Sequence, residues 1–214
     1  MAIFRVTASK DNTITNAFKE NLTTRGTGSN MGASDVLEVF TIYGQASSAS
    51  VEKARFLIEF PLDQIESKRS SGEIPASGSV DFYLNLYNTP HTAPVPTNYE
   101  LFVSPISQSW EEGKGLDMDE YTDITYDKEG SNWLNNASAS TWTTQGGDFL
   151  YDQATTASFS TGIEDMSLDV TAIVEDWLTG LGGGQYNNYG FGVQLSPTNE
   201  AAQVSYYTKK FFAR

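Results

Sequence analysis

The stretch Val80-Asp81-Phe82-Tyr83-Leu84-Asn85-Leu86-Tyr87 settles the fold class. Val80, Phe82, Leu84 and Leu86 fall on one side and Asp81, Tyr83, Asn85 and Tyr87 on the other, the period of a half-buried strand. Segments of the same kind recur on either side, each bracketed by Gly, Asn, Ser or Pro: Phe4 to Thr7, Asp35 to Tyr43, Ala54 to Phe60, Tyr99 to Ile106, Tyr189 to Leu195 and Val204 to Phe212. About seven or eight such strands pack naturally as an antiparallel β-sandwich of jelly-roll-like form, an all-β fold. One segment departs from the pattern. Val170, Ile173, Val174, Trp177 and Leu178 recur at helical spacing, predicting a single short helix over Thr171 to Thr179 that buries Trp177 and ends near Gly180. Asp169 or Thr171 is the expected cap.

Composition narrows the chemistry. The 214 residues carry 13 Lys+Arg against 27 Asp+Glu, a net charge of −14, so the surface is poorly suited to nucleic acid. Absence of Cys excludes disulfides, thiol nucleophiles and thiolate metal sites, and a single histidine, His91, excludes multi-histidine centres. The amino terminus lacks a basic region followed by an apolar stretch, and no run is long enough to span a membrane. No linker divides the sequence, so residues 1–214 read as one sandwich domain with a long loop insertion at about 109–149.

That insertion holds most of the candidate chemistry. Asp117, Asp119 and Asp123 put hard oxygens at short spacing, and two readings stand: a Ca²⁺ site, the one cofactor the sequence suggests, or a plain acidic surface. Trp133 and Trp142, with Tyr186 near the Gly-rich tip, supply flat rings for a sugar or a partner, unless the tryptophans pin the loop onto the sandwich. Glu111 and Glu112 are candidates for a glycosidase pair, but nothing in the spacing positions two carboxylates, and no Gly-x-Ser-x-Gly elbow exists, so an enzyme is not expected. Lys209, Lys210, Phe211 and Phe212 form a basic, aromatic terminal strand in an otherwise acidic chain, read either as a docking interface or as an edge strand guarded by lysines.

Several motifs also resemble those of a known family. Leu168-Asp169-Val170-Thr171, Val174, Trp177 and Asn188-Tyr189-Gly190-Phe191 resemble the late signature of the disaggregatase-related (DNRLRE-type) β-sandwich family. Lys10 to Ile14, Asn30-Met31-Gly32, Ala54 to Phe60 and Ser109-Trp110-Glu111-Glu112-Gly113 are similar to its earlier elements. Within Trp110 to Leu150, and again in Tyr207 to Arg214, the sequence is similar to the version found in structural proteins of marine tailed phages. The resemblance implies a non-catalytic virion protein, assembled in a bacterial cytoplasm and decorating the capsid or the neck and collar. Its expected partners are capsid, portal, neck or tail proteins and further copies of itself, with no role for nucleic acid or membrane. The alternative is a carbohydrate-binding adhesion module that reads surface glycans with its loop aromatics.

Overall fold

A computed structural model describes residues 3–91, 94–116, 129–180, 186–204 and 206–214. The protein is an all-β antiparallel sandwich built on one curled seven-stranded sheet. Its strands are β1 (Lys10–Thr15), β2 (Val36–Tyr43), β3 (Val51–Glu59), β5 (Tyr99–Pro105), β8 (Thr155–Phe159), β10 (Phe191–Leu195) and β11 (Tyr206–Phe212). β3 is the hub. Ile58 is partnered by both Asp11 and Phe191, and Ala54 by both Thr15 and Phe40. One edge of β3 therefore carries β1, and the other carries first β2 and then β10. From there the sheet runs through β2 to β11 on one arm and through β10 and β5 to β8 on the other.

The two arms curl toward each other, and β4 (Tyr83–Leu86) paired with β9 (Met166–Asp169) helps to cover the opening. β4 shows the alternation expected of it, with Leu84 and Leu86 buried and Tyr83 and Asn85 exposed. Just beyond β4 the chain joins the free edge of β11: Phe212 N–H donates to Tyr87 C=O (2.9 Å) and Thr89 N–H to Lys210 C=O (3.2 Å). The expected helix is α2 (Thr171–Gly180), whose start is fixed by Asp169 accepting from Thr171 N–H. Its Trp177 packs against Phe191 at 4.7 Å within the main core. Two further short helices, α1 (Asp63–Ser70) and α3 (Pro197–Glu200), correct the expectation of a single one. Phe4 to Thr7 forms no strand, and β1 begins at Lys10 instead.

A second core lies on the other face of β3. Leu57 and Ile14 meet Ile106, Trp110, Trp133, Trp142 and Phe149, the apolar residues of the long insertion. The insertion leaves after Ile106 and returns beside it through the Ile106–Phe149 bridge, carrying the small hairpin β6 (Asn135–Ala137) and β7 (Ser140–Thr141). Its base is fixed by contacts with no room for a side chain. Asn30 Oδ1 accepts from Gly115 N–H (2.9 Å), Asn30 Nδ2 donates to Glu129 C=O (2.8 Å), and a Cβ on Gly113 would overlap the Asn30 amide.

Candidate functional site

Alternation along β11 decides which of its side chains reach solvent. Tyr207, Lys209 and Phe211 point inward, whereas Lys210 and Phe212 point outward, with Lys210 paired to Glu38 (3.2 Å). The docking role expected for Lys209 and Phe211 is therefore corrected: both are 0 % exposed and belong to the interior. Trp133 and Trp142 are buried in the second core, where Trp142 Nε1 donates to Asn132 C=O (2.8 Å), so they pin the insertion rather than offer rings to a sugar. Tyr186 is half-buried against the main core. Asp117, Asp119 and Asp123 lie outside the described residues, and among the described residues no group of three acidic or imidazole side chains is placed to hold a metal. Glu111 accepts from the Ser138 N–H and hydroxyl, which hold its carboxyl below the usual range, and Glu112 pairs with Arg214.

The unusual chemistry centres on Lys209. Its ammonium-bearing end sits between the rings of Phe159 (4.7 Å) and Phe211 (5.1 Å). Nζ donates to Asn88 Oδ1 (2.7 Å), Gly162 C=O (3.0 Å) and Glu164 C=O (2.6 Å), all neutral oxygens. Burial pushes the amine down to about 8, only partly opposed by the charges of Glu164 and Asp165. Asn88 is held on three sides. Its Nδ2 donates to Thr89 C=O (2.8 Å), its backbone N–H to Asp165 Oδ1 (2.8 Å), and its Oδ1 lies 3.4 Å from His91 Nε2. His91 is lowered by burial and by the positive charges of Lys209 and Lys210, so its ring is neutral near pH 7.

Around this pair stand groups with unspent hydrogen-bonding capacity. Glu164 Oε1 accepts from Ser160 N–H (2.8 Å), Ser160 Oγ (2.9 Å) and Thr161 N–H (2.6 Å), whereas its buried Oε2 finds no partner among the described residues. Burial pushes this carboxyl up, but the hydrogen bonds together outweigh it and hold the group at about 2. The Tyr99 hydroxyl and Thr89 Oγ1 are likewise buried without partners among the described residues. Tyr99 stacks on Phe159 at 5.4 Å, and burial followed by the Glu164 charge pushes its phenol up. Chemically, the site places an amine of reduced basicity against a carboxamide, with the charges of Glu164 and Asp165 acting on the amine beyond direct contact. Only the inward parity of Lys209 between Tyr207 and Phe211 signals this in the sequence; Asn88, Glu164 and Asp165 carry no local mark.

A second feature faces outward. Tyr87 and Phe212 oppose each other across the join between β4 and β11, and Tyr83 continues the row on β4; they are 60 %, 52 % and 54 % exposed. Asn85, also exposed, stands between the two tyrosines. No described helix is long and apolar enough to cross a membrane. Compared with family models, with curated proteins and with solved structures, the chain finds no match.

Proposed function

We propose that this chain is a non-catalytic structural protein of a tailed-phage virion, assembling as a homo-oligomer that meets capsid, neck or tail components through the outer face of β4 and β11. The carrying observation is the row of Tyr83, Tyr87 and Phe212: three large rings held half in water by a sheet whose other side is fully packed. Exposed aromatics grouped on a rigid face suit protein contacts, because little side-chain freedom is lost on docking. The interior supports the same reading. Two cores share β3, and the buried Arg55–Glu200 pair (3.0 Å) ties that strand to α3, giving a scaffold built to hold shape. The virion assignment itself leans on the resemblance of Trp110 to Leu150 and Tyr207 to Arg214 to phage structural proteins.

Mass spectrometry of purified phage particles is the direct test, with this chain expected among their constituents. A Tyr87→Ser/Phe212→Ser variant should fold yet lose self-association in sedimentation and incorporation into particles; unchanged assembly would remove the row from the interface. Asn85 between Tyr83 and Tyr87 favours one other reading, glycan recognition on the same face. Specific signals on a glycan array, lost in Tyr83→Ala, would support that reading over the first.

A further inference from the structure

We infer that Lys209 and Asn88 become joined, Nζ to Cγ, by an amide bond that locks β11 to the chain leaving β4. The two side chains come from positions 121 residues apart, yet both point into the interior and meet at 2.7 Å. With a C=O bond of about 1.2 Å, the electrophilic Cγ then lies within about 4 Å of Nζ, close to attack distance. The surroundings fit the reaction rather than an ordinary ion pair. A buried lysine normally answers a carboxylate, but here Nζ faces only neutral oxygens between two phenyl rings. Such desolvation favours the neutral, nucleophilic amine. A neutral amine keeps two hydrogens, for which the carbonyls of Gly162 and Glu164 are acceptors, and its lone pair meets Cγ once the Asn88 amide turns from the hydrogen-bonded position.

The other groups supply the remaining needs. As its Nε2–H tautomer, His91 donates toward Asn88 Oδ1 (3.4 Å), where negative charge develops as Nζ adds to Cγ. The Glu164 carboxylate, the charge that acts most strongly on Lys209, offsets part of the positive charge forming on nitrogen. One proton passes from Nζ to Nδ2 as the adduct collapses, while Asp165, bound to the Asn88 backbone N–H, holds that stretch of chain in place. The Cγ–Nδ2 bond then breaks and ammonia leaves. One amine and one carboxamide give one secondary amide and one ammonia, with no oxidant, reductant or cofactor.

The test is the intact mass of the folded full-length chain. Joined protein weighs about 17 Da less than its sequence requires, one ammonia, and digestion yields a branched species containing both Asn88 and Lys209. Lys209→Arg and Asn88→Ala should each restore the full mass for their sequence and lower the thermal midpoint by roughly 10 °C, because a long loop in the unfolded chain is no longer closed. Full sequence mass in wild-type protein that melts as a single sharp transition, after prolonged incubation, would overturn the inference. So would a loss of ammonia that persists in Lys209→Arg, since that loss would come from elsewhere.

Discussion

At the scale of single residues, Glu164 shows how a partly exposed carboxylate is tied to the folded state. Three donors from Ser160 and Thr161 reach one oxygen, and the group is held at about 2 against an ordinary value of 4.5. A depressed acid stabilises the fold at pH above its unfolded value and loses that contribution as pH falls through the folded one. Stability measured by denaturant titration should therefore decline between about pH 4.5 and 2, and Glu164→Gln should flatten that part of the curve. An acid limb identical in the two proteins would show that the donors do not act on this carboxylate. Lys209 makes the matching point about what sequence conceals. Its charge and its neighbours Lys210, Phe211 and Phe212 suggest a docking strand, and only strict parity along β11 reveals that every second residue faces inward. The parity was legible; the polar oxygens waiting at Asn88, Gly162 and Glu164 were not, because chain reversals far away in sequence deliver them.

Among the elements, legibility followed apolar periodicity. β2, β3, β5, β10, β11 and α2 were read close to their observed limits because each carries a continuous hydrophobic pattern. β1 was missed as a strand for the opposite reason: Asp11, Asn12, Thr13 and Thr15 are all buried, and their burial is offset by distant partners. Asn12 alone donates to the Ser131 C=O and Oγ and accepts from Met31 N–H. α1 buries only Ile65 and has almost no apolar stripe; acidic residues in its first turn and basic ones in its last instead complement the helix dipole. Its Arg69 pairs with Glu175 of α2, a contact no local pattern announces. The insertion was visible as a long segment, but its tryptophans were readable in two ways, and burial against Leu57 decides for anchoring. Trp142→Ala should cost about 3–5 kcal/mol in unfolding free energy and speed protease cleavage within residues 129–149. A variant that melts like wild type would mean the second core contributes little.

Taken as a whole molecule, the fold class was legible and the candidate site was not. Alternation over many short segments leaves few packings other than a sandwich, whereas the Lys209 cluster exists only once β4, β11 and the 160–165 turn have been brought together. The same closure determines how the surface is presented. With Trp133, Trp142, Lys209 and Phe211 enclosed, the large rings left in water on β4, the residue that follows it and β11 are Tyr83, Tyr87, Tyr206 and Phe212, so recognition by this part of the molecule falls to them.

β3 supplies Phe56 and Ile58 to one core and Leu57 to the other. It is thus a party wall between two rooms, and neither room can be emptied while the other stands. Amide hydrogens of residues 56–58 should exchange with deuterium more slowly than any others, and only through global opening, so their rates should report the full unfolding free energy. Were the insertion side to exchange fully while the α2 side stayed protected, the wall would be two leaves rather than one.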